Sequence, residues 1–76
     1  MISGILIHLV EDAVLCDKTV AAIAEHPSVE IGDRSGLRLP AVIDTDNKNS
    51  AENVNEWLMS LPGVSHVDVT FVHFEE

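Results

Sequence analysis

The chain has 76 residues, 46% of them hydrophobic, with 4 basic against 13 acidic side chains and a formal net charge of −9. A chain of this length holds one domain and buries only about 60% of the surface that its unfolded form exposes, so the stability margin is thin for a strained, buried active site. The acidity disfavours nucleic acid and anionic membranes and favours a basic partner, with solubility as its simpler use; the single cysteine, Cys16, excludes an internal disulfide and fits a reducing cytoplasm.

Ile2-Ser-Gly-Ile-Leu-Ile-His-Leu-Val10 is apolar almost throughout and is closed by Glu11-Asp12. It falls short of the roughly 18 apolar residues of a membrane helix. It also lacks the basic start of a signal peptide, and it reads as a central strand with Ile5, Ile7 and Leu9 on a uniform face and Gly4, Leu6 and His8 on a mixed one. Asp12 is placed to cap a helix. Cys16, Val20 and Ile23 then recur at helical spacing, until Pro27 excludes His26 from the α region. Val29-Glu-Ile31 alternates as a second strand, Asp33-Arg-Ser-Gly36 is a turn, and residues 37–44 make a third strand with Leu39, Ala41 and Ile43 on one face. Pro40 conflicts with a central place in a sheet because it brings no N–H to the ladder; the strand is expected to bulge there, or the sheet to fray beside it. After the polar connection 45–50, Asn49 and Glu52 have the spacing of a capping box. Ala51, Val54, Leu58 and Leu61 mark a second amphipathic helix, stopped at Pro62-Gly63. Residues 64–74 form the last strand, with Val67, Val69 and Phe71 on one side.

The order β-α-β-β-α-β carries a weak internal repeat: His26-Pro-Ser-Val-Glu-Ile31 and Leu61-Pro-Gly-Val-Ser-His66 stand 35 residues apart at equivalent helix-to-strand junctions. It predicts an α+β domain over 1–76, the ferredoxin-like split βαβ arrangement, with a four-stranded antiparallel sheet. Right-handed crossovers put both helices on one face. The uniform odd-numbered faces supply the core, and the mixed even-numbered faces form an open side.

Catalytic chemistry finds little footing. Cys16 lies on the apolar stripe of the first helix, where a thiol is inert. The glycines are scattered singly, without a phosphate-binding loop, and no Cys-x-x-Cys is present for zinc or iron–sulfur. No catalytic residue, metal or cofactor is expected, and the chain is not read as an enzyme. His66 and His73, seven residues apart, are expected to face opposite sides of their strand. His8 and His66 are expected to meet across antiparallel neighbours, near Asp68. Two imidazoles and a carboxylate are also a ligand set for a divalent metal, against the plainer reading of recognition histidines on a sheet surface. RNA readers of this fold stack bases on sheet aromatics between basic flanks. Here the even face offers Phe74 alone and the net charge is wrong, so no nucleic acid is expected. What remains is the open face itself. Leu6, His8, Pro40, Val42, Thr70, Val72 and Phe74 make a partly apolar platform, with Asp68, Glu75 and Glu76 on or beside it and Arg38 at its rim. Such a surface suits an amphipathic, basic helix.

Ile2-Ser-Gly-Ile-Leu-Ile-His8 resembles the opening of the NapD-type chaperones of periplasmic nitrate reductase, whose first strand commonly reads Ser-Leu-Val-Val-His. The junctions His-Pro-Ser-Val-Glu-Ile and Leu-Pro-Gly-Val resemble that family's repeated Pro-Gly-Val. Ser35-Gly36 before an apolar strand, and Phe71-Val-His73 before Glu75-Glu76, are similar too. The resemblance implies a cytoplasmic assembly factor that binds the twin-arginine signal peptide of a molybdenum-containing catalytic subunit. It holds that peptide back from export until the cofactor is loaded, without inserting into a membrane. Two departures leave the client open between a nitrate reductase and another exported redox enzyme. Pro40-Ala41 replaces a β-branched run, and Val72 separates Phe71 from His73 where the family has an adjacent Tyr-His pair. The alternative from another class is a small-molecule-binding regulatory module of the same fold; the lack of an attached enzyme or DNA-binding segment in these 76 residues speaks against it.

Overall fold

The computed structural model describes residues 1–73. The expectations placed on Phe74, Glu75 and Glu76 lie outside the described residues. The elements are β1 (Ile2–Leu9), α1 (Ala13–Glu25), β2 (Val29–Ile31), β3 (Arg38–Asp44), α2 (Lys48–Ser60) and β4 (Val64–His73). The strands lie in the order β2-β3-β1-β4 with every neighbouring pair antiparallel, which is the ferredoxin-like arrangement.

Local chemistry sets the ends of the helices. Asp12 has an extended backbone and its Oδ1 accepts a hydrogen bond from the Leu15 N–H at 3.0 Å, as expected of an N-cap. The second helix starts earlier than the Asn49–Glu52 spacing suggested. Asn47, extended at φ −153° and ψ 172°, takes the Ser50 N–H onto its Oδ1 at 2.9 Å, and Asn49 already lies inside the first turn. Both helices end on the residue before a proline. His26 and Leu61 sit at nearly the same extended angles, and each donates its N–H to the carbonyl three residues back, at 3.1 Å. The proline ring forbids the α conformation to its predecessor, so the repeat seen in the sequence is one chain-reversing device used twice.

The core is the layer between the helices and one sheet face. Ile5, Ile7 and Leu9 of β1, Leu39, Ala41 and Ile43 of β3, Val29, Val64 and Val67 pack with Cys16 and Ile23 of α1 and Val54 and Leu58 of α2. The Cys16 thiol donates to the Val10 carbonyl at 2.6 Å, which satisfies a buried polar group. Gly63 is buried where the α2–β4 junction crosses α1, and a Cβ there would stand 2.0 Å from Thr19 Oγ1, so only glycine allows this approach.

Pro40 resolves in favour of fraying. Strands β1 and β3 pair without a register shift, Leu6 opposite Pro40. Gly32 N–H donates to the Pro40 carbonyl at 2.8 Å, so the carbonyl and ring nitrogen of Pro40 point to the β2 side. Strand β2 ends at Ile31, and the N–H that proline lacks is one no partner needs.

Two asparagines test where α2 begins. Asn47→Ala is expected to destabilise the domain by about 1 kcal/mol, the usual loss of a capping side chain. Asn49→Ala is expected to be neutral or slightly stabilising, because alanine is the better helix former. Urea unfolding midpoints check both, and equal losses would place the cap elsewhere.

Candidate functional site

The helices cover one face of the sheet, and the other carries the platform expected from the sequence. The register arranges it in rows across the strands. Arg38, His8 and His66 form the first; Pro40, Leu6 and Asp68 the second; Glu30, Val42, Gly4 and Phe71 the third; Asp44, Ile2 and His73 the last. Leu6, His8, Arg38, Pro40, Val42 and Asp68 therefore share the open face, as expected.

Three placements are corrected by the pairing of β1 with β4, which shifts register between His8 and Leu9 and again between Gly4 and Ile5. The first shift leaves Ser65 as the extra residue and the second leaves Thr70. A strand's side chains alternate between faces, and each extra residue reverses the alternation. Val72 consequently pairs with buried Ser3 and turns to the helix side, against Lys48, Ala51 and Asn55, instead of joining the open platform. Phe71 takes the open side with Thr70, and Val67 and Val69 keep the helix side. The same reversal puts His66 and His73 on one face, contrary to the expectation from their odd spacing. They pair with His8 and Ile2 at opposite ends of β1, about 20 Å apart at the usual rise per strand residue.

Phe71 is the site residue that alternation missed. Its ring lies over Gly4, where a Cβ would stand 2.0 Å from the ring edge. A shallow groove of about 480 Å³ runs from Thr70 and Phe71 across Gly4 and Val42 to Pro40, Gly32 and Glu30. The ring remains 53% exposed, so it forms a wall of the groove and is free to meet a partner. The available signal was Gly4 itself, since a glycine within an apolar strand marks a close approach or a bulge.

At the other end of the face His8 and His66 flank Asp68. His8 Nε2 lies 2.9 Å from Asp68 Oδ2, His66 Nε2 lies 2.6 Å from Oδ1, and the imidazole centroids are 5.6 Å apart. Each carboxylate oxygen thus receives one imidazole. The hydrogen bond from His8, then that from His66, holds the Asp68 carboxyl below the usual aspartate range. Among the described residues, His8 and His66 are the groups paired with the Asp68 carboxylate. Among the described residues no three His, Cys, Asp or Glu side chains are arranged to hold a metal ion. Among the described strand residues, Arg38 is the one Lys or Arg on this face, against Glu30, Asp44 and Asp68. The site is thus an apolar groove joined to an oriented carboxylate, a surface suited to binding. Among the described residues no helix is long and apolar enough to cross a membrane.

No protein-family model matches the chain, and no curated protein matches it. Among solved structures it is similar to the solution structure of the E. coli Tat proofreading chaperone protein NapD, with a TM-score of 0.81 over 100% of this chain and 80% of that one. The two are 13% identical in sequence, so the likeness is one of fold.

Two measurements probe this geometry. Gly4→Ala is expected to lift Phe71 off β1, with loss of the nuclear Overhauser contacts between the ring and residue 4. The stability cost should stay within the about 1–3 kcal/mol of an overpacked site. Phe71→Ala in the same chain should remove most of that cost; an unchanged cost would mean that the ring does not lie over Gly4. Separately, carboxyl carbon shifts followed with pH should show Asp68 titrating below an ordinary aspartate, and closer to one in His8→Gln/His66→Gln. Its contribution to folding is present above the unfolded aspartate range and is lost as pH falls through the lowered folded value.

Proposed function

We propose that the domain is a cytoplasmic chaperone that binds the twin-arginine signal peptide of an exported molybdenum redox enzyme, a nitrate reductase or a similar client. It delays export until the cofactor is loaded. The observation that carries this reading is the open sheet face, whose apolar groove between Phe71 and Pro40 adjoins the Asp68 carboxylate in a chain of net charge −9. The likeness of fold to a Tat proofreading chaperone supports it.

A signal peptide of this kind joins a pair of arginines to an apolar stretch. Laid on the sheet as an amphipathic helix, it buries its apolar stripe against Leu6, Pro40, Val42 and Phe71. Burial there returns roughly 25 cal/mol for each Å² of apolar surface removed from water. The arginines are steered by the acidic field, which sets the rate of encounter more than the lifetime of the complex. Holding the peptide on this face sequesters it from the export machinery without any chemical step.

Titration of the domain with a twin-arginine signal peptide from the same genome tests the reading, and a dissociation constant below about 100 μM is expected. Val42→Asp should weaken binding by at least about tenfold while the unfolding midpoint holds, because the side chain faces away from the core. Reversing the charge of Asp68 should slow association more than the same change at Glu25 on the helix side. That gap should narrow as salt shortens the screening length below the about 8 Å of physiological ionic strength. Absence of binding at both low and moderate salt would retire the proposal.

A further inference from the structure

The groove accounts for an apolar stripe and leaves the row beside it unexplained, where two histidines from different strands converge on one exposed carboxylate. We propose that His8, Asp68 and His66 form a proton-operated acceptor for a guanidinium of the bound peptide, holding it at neutral pH and releasing it in mild acid. The inference rests on the reading given under Proposed function and adds the regulation of that site.

The donor geometry supports it. An ionised carboxylate has about four lone-pair directions, two on each oxygen. His8 occupies one on Oδ2 and His66 one on Oδ1. One direction on each oxygen remains, and either can accept a charge-assisted N–H bond from a guanidinium. An exposed aspartate ordinarily rotates freely and loses that freedom on binding; here two imidazoles anchored on neighbouring strands fix its plane beforehand, which lowers the cost of association. His8 and His66 therefore act as positioning residues.

The same arrangement makes the acceptor respond to protons. One carboxylate with two neutral imidazoles carries −1, and with both imidazoles protonated the trio carries +1. Histidine is the side chain that ordinarily changes charge between about pH 5 and 8. A guanidinium thus meets an attractive site on one side of that range and a repulsive one on the other.

The surroundings reinforce the change. From β3 the charged group facing His8 is Arg38, and from β4 His66 and Asp68 face it, while the Ser65 hydroxyl in the bulge donates to the His8 carbonyl at 3.0 Å. Glu30 and Asp44 face the other half of the sheet, and His73 pairs with Ile2 at the far end. Among the described strand residues, Asp68 is the carboxylate paired into this end of the face. The helices lie on the opposite side.

The test uses an acetylated, amidated twin-arginine peptide free of His, Asp and Glu, so that every titrating group belongs to the domain. Affinity is measured at about pH 7.5 and about pH 5.5 at constant ionic strength. Affinity of the unmodified domain is expected to fall by at least about tenfold in acid. In His8→Gln/His66→Gln, where glutamine keeps a donor that does not titrate, the ratio should shrink to about twofold or less whatever the absolute affinity. His73→Gln should retain the original ratio. Replacing the peptide arginines by glutamine should abolish the acid effect. A tenfold loss that persists in the double glutamine variant, or binding that ignores pH in the unmodified domain, overturns the inference and leaves the proposed function standing. No binding at either pH overturns both.

Discussion

Strand β1 contributes 8 residues and its partner β4 contributes 10, yet their ends pair, Ile2 with His73 and Leu9 with Val64. The two surplus residues must leave the ladder, and they do so as bulges at Ser65 and Thr70. Each bulge reverses which face the following side chains occupy. The mismatch in length between central β1 and its edge partner β4 therefore decides the composition of both faces of the sheet. The bulge at Ser65 lets Val64 enter the core and still sets His66 opposite His8. The bulge at Thr70 sends Val72 toward α2 and brings Phe71 onto the open side.

That constraint links the two halves of the candidate site. The polar end exists because His8, His66 and Asp68 share a face between the bulges. The apolar end exists because Phe71 changes face after the second one and finds a glycine beneath it. Gly4 is the only position of β1 on that face without a side chain. A larger residue there would displace the ring and fill the groove. Pro40 adds to the same surface at no cost in hydrogen bonding, since β2 has ended before its nitrogen needs a partner. A small domain gains from this economy, because its site lies on the sheet face opposite the core and takes no side chain from that core.

The electrostatics divide between a diffuse and a local part. The charge of −9 belongs to the chain as a whole, and acts on a basic partner at a distance that salt shortens. The Asp68 carboxylate acts at contact, with its orientation set by hydrogen bonds that geometry, and not charge alone, provides. The first favours encounter with a cationic chain, and the second distinguishes where on the sheet the cation comes to rest.

The elements, their order and most of the core were legible in the residues. Strand alternation and helical periodicity are local properties, and Ile5, Ile7 and Leu9, Leu39, Ala41 and Ile43, Cys16 and Ile23 each carry them within one segment. The proline junctions after His26 and Leu61 and the Asp12 cap were legible for the same reason. The start of α2 was not, because Asn47 and Asn49 are chemically equal candidates and only the backbone path before the helix decides which one is extended. Leu6, His8, Pro40, Val42 and Asp68 reached the open face as periodicity implied. Phe71, Val72 and His73 did not follow it. Their faces depend on the register between strands some 60 residues apart in the chain, and a bulge is a property of the pair that neither strand displays alone.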